Sequence, residues 1–172
     1  PNTPQQVWVK GTLPPHTLPW LAVVGTRRHS KAAPEIVERI VGPLARAGVV
    51  IVSGLAYGID TLAHTVCLAA GGRTVAVLGS GLDRITPSGN RGLAKDILKN
   101  GGALVSEYPA ETPAFKANFL ARNRIIAALA DATLVIEAPY KSGALTTARC
   151  AAELGRPVLA VPGSIVAETS AG

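Results

Sequence analysis

Both phenylalanines of the chain lie in one stretch, Phe115-Lys116-Ala117-Asn118-Phe119-Leu120-Ala121-Arg122-Asn123-Arg124, which runs directly into the apolar Ile125-Ile126-Ala127-Ala128-Leu129-Ala130. A helix starting here would bring its positive N-terminal end together with basic side chains and flat rings. That combination suits a ligand bearing phosphates and planar bases, so the chemistry it points to is single-stranded nucleic-acid binding. The same residue types also serve as core anchors with a solvated charged rim, and composition alone leaves both readings open. A helical wheel at about 100° per residue divides the cluster. Arg122 falls in one stripe with Phe119, Ile126 and Leu129, Asn123 sits at its edge, and Arg124 points nearly the opposite way. The wheel predicts that Arg122 and Asn123 turn inward and brace a rim through hydrogen bonds.

The elements that must hold this stretch follow from the rest of the chain. Short apolar runs at residues 21–24, 49–52, 74–78, 103–105, 133–136 and 157–161 alternate with longer helical patterns. The runs are nearly all apolar instead of alternating with polar residues, as expected of parallel strands buried on both faces. Helices are expected to begin near Ser30, Gly58, Asn90, Asn118 and Ser142, and two to stop at Ala47-Gly48 and Leu154-Gly155. The expected fold class is α/β, a doubly wound, mainly parallel sheet flanked by helices. Residues 1–19, with five prolines and Val7-Trp8-Val9-Lys10, read as a lead-in segment with a possible edge strand; residues 20–165 form the domain, and 166–172 a tail or linker.

Open parallel sheets bind ligands outside the carboxyl ends of their strands. Here those ends carry Gly25-Thr26-Arg27-Arg28-His29-Ser30, Ser53-Gly54-Leu55-Ala56-Tyr57-Gly58-Ile59-Asp60, Gly79-Ser80-Gly81-Leu82-Asp83, Ser106-Glu107-Tyr108-Pro109 and Glu137 through Ala148, with Ser142-Gly143 and Thr146-Thr147 in the last. Glycines admit close backbone approach, while amides and hydroxyls at helix starts hold phosphate oxygens, so the rim reads as a cradle for a phosphate backbone. No loop fits a named nucleotide fingerprint: Gly79-Ser80-Gly81 lacks the third glycine of the dinucleotide motif, and there is no Gly-Lys-Ser/Thr phosphate loop. No cofactor is expected.

Catalytic groupings are sparse. His64 lies four residues after Asp60, so the two could pair on one helix face. Glu137, beside Lys141, is the best candidate acid, with a helix cap or salt bridge as the alternative role; no Gly-x-Ser-x-Gly frame and no second carboxylate at acid/base spacing accompany it. Cys67 and Cys150 fit no metal or redox spacing, and no metal site is expected.

The 172 residues suffice for one domain with a full core, and the net charge of +6 with pI near 9.8 favours an anionic partner. Absence of an apolar run of roughly 18 residues and of a signal-peptide pattern leads to the expectation of a soluble, cytoplasmic protein without a membrane partner. The start at Pro1, the lack of methionine and the polar ending lead to the expectation of a fragment of something longer.

Taken in order, Gly-Thr-Arg, Ser-Gly-Leu-Ala-Tyr-Gly-Ile-Asp, Val-Leu-Gly-Ser-Gly-Leu-Asp, Ser-Glu-Tyr-Pro, Asn-Phe-Leu-Ala-Arg-Asn-Arg-Ile-Ile-Ala, Ser-Gly-Ala-Leu-Thr-Thr-Ala and Val-Pro-Gly-Ser resemble the DNA-processing protein A family (DprA or Smf) over about residues 20–165. The resemblance implies an extended Rossmann-like domain that binds single-stranded DNA without sequence preference, forms a homodimer and helps load the RecA recombinase in natural transformation, with no enzymatic activity. Carried over by position, it implies Arg27, Lys116 and Phe119 as direct DNA contacts. Ser53, Gly54, Gly79, Ser142 and Gly143 would line the same pocket through main-chain and hydroxyl groups, with Gly25, Asn118, Arg122, Asn123 and Thr146 completing the site. Two departures stand out: Lys116-Ala117-Asn118-Phe119-Leu120 replaces the family's Pro-x-His-Phe-Pro, and the family's N-terminal helical and C-terminal winged-helix-like modules have no counterpart in the sequence. The alternative is a phosphoribohydrolase acting on nucleoside monophosphates. Such enzymes resemble Pro-Gly-Gly-x-Gly-Thr-x-x-Glu at the last helix start, whereas this chain places Arg149 where the carboxylate would fall.

Overall fold

In the computed structural model, which describes residues 3–164 and 167–172, the elements run β1 (Trp8–Gly11), β2 (Trp20–Val24), α1 (Ala33–Arg46), β3 (Val50–Ser53), α2 (Ile59–Ala69), β4 (Thr74–Leu78), α3 (Arg91–Lys99), β5 (Ala103–Ser106), α4 (Lys116–Leu129), β6 (Ala132–Val135), α5 (Gly143–Glu153) and β7 (Val158–Ala160). The seven strands form one sheet in the order β1-β5-β4-β3-β2-β6-β7, parallel except for β1, which pairs antiparallel with β5. The expected α/β class, the mainly parallel sheet and the lead-in edge strand are all present.

Successive strand residues face opposite sides of the sheet, and the core divides accordingly. Leu21, Val23, Ile51 and Leu134 pack on α1 and α2, and Ala76, Leu78 and Leu104 pack towards α3. Ala22, Val24, Val52, Val75, Val77 and Val105 meet Ile125 and Ile126 of α4 and Ala144 of α5 on the other face. The four strands β2 to β5 are buried along their whole length, which is why their sequences read as uninterrupted apolar runs.

Two expectations need correction. The run at 157–161 forms β7, but at the edge of the sheet, where Val158 is 41% and Leu159 53% exposed, so it is not a strand buried on both faces. An apolar run specifies a strand; only the neighbouring elements decide whether both faces are covered. Helix α1 begins at Ala33, three residues after Ser30; the Ser30 amide and hydroxyl donate to the Glu137 carboxylate, at 2.9 and 2.5 Å, and its hydroxyl oxygen accepts the Ala32 amide at 3.2 Å, so Ser30 sits in a turn just ahead of the helix. The boundary expected at residues 165 and 166 lies outside the described residues. Residues 167–172 return to the domain, with the Gly172 amide donating to the Ala138 carbonyl at 2.9 Å. Among the described residues, no helix is long and apolar enough to cross a membrane.

Candidate nucleic-acid interface

A cavity of about 880 Å³ opens at the carboxyl ends of the strands, between the loops after β2 and β6 and the first two turns of α4. Its wall includes Gly25, Arg27 and Arg28 from the first loop, Lys116, Phe119, Arg122 and Asn123 from α4, and Lys141, Ser142, Gly143 and Thr147 around the start of α5. The first loop is tightly held: the Thr26 amide donates to the Glu137 carbonyl at 2.8 Å, and the Ile59 amide donates to the Thr26 carbonyl at 3.1 Å. Glu137 accepts the Ser30 amide and hydroxyl and so anchors that loop, a role different from the helix cap or salt bridge named from the sequence.

On α4 the inward turn of Arg122 is the organising feature. Its side chain is 3% exposed and donates to the Gly54 carbonyl at 2.7 Å and to the Val77 carbonyl. Burial pulls its pKa down to about 10, against the attraction of the Asp60 carboxylate. Asp60 accepts the amides of Gly54 and Ala56 at 3.1 and 3.4 Å; burial pushes its pKa up, opposed first by Arg122. Asn123 donates to the Gly143 carbonyl at 3.0 Å, tying α4 to the start of α5. Arg124, on the far side as the wheel predicts, forms a bidentate pair with Glu107 at 2.8 and 2.6 Å.

Phe119 sits between these groups. The guanidinium carbons of Arg27 and Arg122 lie 5.6 and 5.9 Å from its ring centroid, within cation–π range. Gly79 provides the seat, since a Cβ there would come within 2.8 Å of the ring.

Eight of the residues singled out from the sequence therefore share one wall: Gly25, Arg27, Lys116, Phe119, Arg122, Asn123, Ser142 and Gly143. Five do not line it. Ser53 is fully buried and donates its hydroxyl to the Val23 carbonyl at 2.6 Å, so it stabilises strand pairing and offers no hydroxyl to a ligand. Gly54 and Gly79 act one layer below, making room for Arg122 and Phe119. Asn118 is half-buried beside the wall, and at α5 the lining threonine is Thr147 and not Thr146. Arg28 and Lys141 join the wall without having been singled out, although Arg28 adjoins Arg27 and Lys141 precedes the Ser142 cap. Glu168 and Thr169 reach it from the returning chain end.

The anticipated Asp60–His64 pair does not form. His64 is fully buried, with Nδ1 2.7 Å from the Thr74 hydroxyl, and that hydroxyl donates its own proton to the Ile51 carbonyl at 2.7 Å. Nδ1 must therefore be the donor, leaving Nε2 unprotonated and without a hydrogen-bond partner among the described residues. Burial, reinforced by Arg122, holds the pKa at about 3. Between pH 6.5 and 3 the unfolded chain takes up a proton that the folded one refuses, so this group's contribution to stability falls as pH drops; Asp60, with its raised pKa, acts in the opposite sense. The loss from His64 between pH 7 and 5 is expected to be about 2 kcal/mol. Urea unfolding at the two pH values should show the wild type losing about that much more stability than His64→Gln, in which the opposing contribution of Asp60 remains.

The chain matches the DNA recombination-mediator protein A family over residues 1–172. It is 50% identical over 145 residues to protein Smf of Escherichia coli K12, covering 84% of this chain and 39% of that protein. It is 45% identical over 172 residues to DNA processing protein DprA of Streptococcus pneumoniae R6, covering 99% and 60%. The crystal structure of the Streptococcus pneumoniae protein superposes with a TM-score of 0.87 at 44% identity, covering 95% of this chain and 57% of that one. A structure of the Helicobacter pylori DNA processing protein A, described for its single-stranded DNA binding mode, also gives 0.87, at 31% identity over 98% and 77% of the two chains. The chain thus spans about two fifths to three fifths of the length of these two sequence relatives. With the family model matched over the whole chain and the fold superposing on these two structures at a TM-score of 0.87, the chain belongs to the DNA recombination-mediator protein A family.

Proposed function

We propose that this domain binds single-stranded DNA without sequence preference through the cavity at the carboxyl rim and, as a homodimer within the longer protein, supports RecA loading during recombination and natural transformation. The observation that carries this reading is the charge pattern of the wall. Arg27, Arg28, Lys116 and Lys141 line one cavity, and none of the four is in a salt bridge among the described residues. Unpaired cations beside two helix starts suit a phosphate backbone. The single-stranded DNA binding described for the Helicobacter pylori relative supports the same ligand. A binding role without catalysis accords with Arg149 of α5, which stands where the hydrolase carboxylate would fall.

The test is a salt titration of oligo-dT binding. Four phosphate contacts give a log–log slope of about −2.8, at roughly 0.7 per contact for single strands. Arg27→Ala and Lys116→Ala should each weaken binding and flatten the slope by about 0.7. Salt-independent binding, an equal preference for duplex, or wild-type behaviour of both variants would sink the reading. Release of adenine from AMP would establish the hydrolase in its place.

A further inference from the structure

The exposed aromatic side chains of the fold are Tyr57, Phe115 and Tyr140, and all three stand in loops at or beside the carboxyl rim. Tyr140 is the most exposed large hydrophobic residue among the described residues, at 74%. It occupies the tip of a turn closed by the Ser142 amide donating to the Pro139 carbonyl at 3.0 Å. The next residue, Lys141, has φ +64°, a conformation that costs a non-glycine residue about 1–3 kcal/mol. In this turn Lys141 lines the cavity while its ammonium lies 5.8 Å from the Tyr140 ring centroid. Because β6 is hydrogen-bonded to β2, the Tyr140 loop is the direct neighbour of the loop carrying Arg27 and Arg28. An extended ligand leaving the cavity on this side meets a cation and then an open aromatic face.

We propose that Tyr140 and Lys141 form an outer nucleotide subsite, in which a base just outside the cavity stacks on the Tyr140 ring and Lys141 holds the phosphate that joins it to the nucleotide inside. This rests on the single-strand reading above and extends it past the cavity wall. A ring so exposed contributes little to the core, and its π-face accepts any base, in keeping with binding that ignores sequence. The Lys141 ammonium, 5.8 Å from the ring centroid, is near enough for a phosphate and a stacked base to be held together at this turn.

The experiment compares oligo-dT of about 4 and about 16 nucleotides, the range of sites that stacking platforms of this kind span. Tyr140→Ala should weaken binding of the longer strand by about 5- to 100-fold, leave the shorter one unchanged, and preserve the salt slope, because no phosphate contact is lost. Tyr140→Phe, which keeps the ring, should bind as wild type. Wild-type affinity of Tyr140→Ala for the longer strand, alongside weakened Arg27→Ala, overturns the outer subsite and leaves the cavity reading intact. Failure of the wild type to bind either strand overturns both. Equal weakening for the two lengths also overturns the proposal, since it would place Tyr140 inside the cavity site.

Discussion

Replacing Arg122 with methionine is expected to destabilise the chain by about 3–6 kcal/mol, at about 1.5–3 kcal/mol for each of its two buried charged hydrogen bonds to carbonyls. Methionine preserves much of the stem that packs under Phe119, so the loss reports on the guanidinium. Without it the Gly54 and Val77 carbonyls lose their donor, and the Asp60 carboxylate remains buried without its opposing charge. The sign of the pH dependence follows from Asp60. Its folded pKa already lies above the unfolded value, and removing Arg122, which lowers it, moves it higher still. A group of that kind adds stability as pH falls through the folded pKa, because the folded state takes up the proton first. The penalty of Arg122→Met should therefore be largest near neutral pH and smaller in mild acid, as read by urea unfolding at both. A variant within about 1 kcal/mol of wild type at pH 7 would show that Arg122 is not the brace of this rim.

The inward turn of Arg122 is legible in the sequence because a helical wheel needs only the period of the helix, and the apolar stripe through Phe119 and Ile126 marks its inner side. The strands are legible for a similar reason, since burial on both faces leaves an uninterrupted apolar run. What the wheel and the runs do not carry is the partner of each group. Ser53 at a strand end has the composition of a phosphate ligand, yet its hydroxyl lies beneath the rim and is used by the Val23 carbonyl. Thr146 and Thr147 differ by one residue, or about 100° of rotation, and an uncertainty of that size in where α5 meets the cavity exchanges them. Lys141 is named from the sequence only as the neighbour of Glu137; its place on the wall goes with a positive φ, which a lysine in sequence does not advertise. Glu168 and Thr169 reach the wall only because the chain end folds back on Ala138, a contact between residues far apart in sequence.

The other large effect is expected at Gly58, where the loop before α2 crosses the loop that carries Arg27. Gly58 has φ +82° and ψ −130°, and a Cβ there would lie 2.3 Å from the Thr26 carbonyl oxygen and 2.7 Å from the main-chain carbons of Arg27. These are backbone atoms, and Thr26 is held from both sides by its bonds to Glu137 and Ile59, so neither loop can yield without breaking a hydrogen bond. Backbone strain and overpacking together give a destabilisation of roughly 2–6 kcal/mol for Gly58→Ala. The displaced segment includes Arg27, so single-strand affinity should fall as well, even at low temperature where the variant remains folded. Gly48→Ala is the control: its φ of +89° is likewise positive, but nothing lies within 4 Å of the added Cβ and Gly48 does not line the cavity. Gly48→Ala should lose about 1–2 kcal/mol and bind oligo-dT as wild type. Equal stability and equal binding in the two variants would mean that the crossing of the two loops does not position Arg27; a selective loss of binding in Gly58→Ala would tie the β3–α2 loop, which itself contributes no charge to the wall, to the placement of Arg27 in that wall.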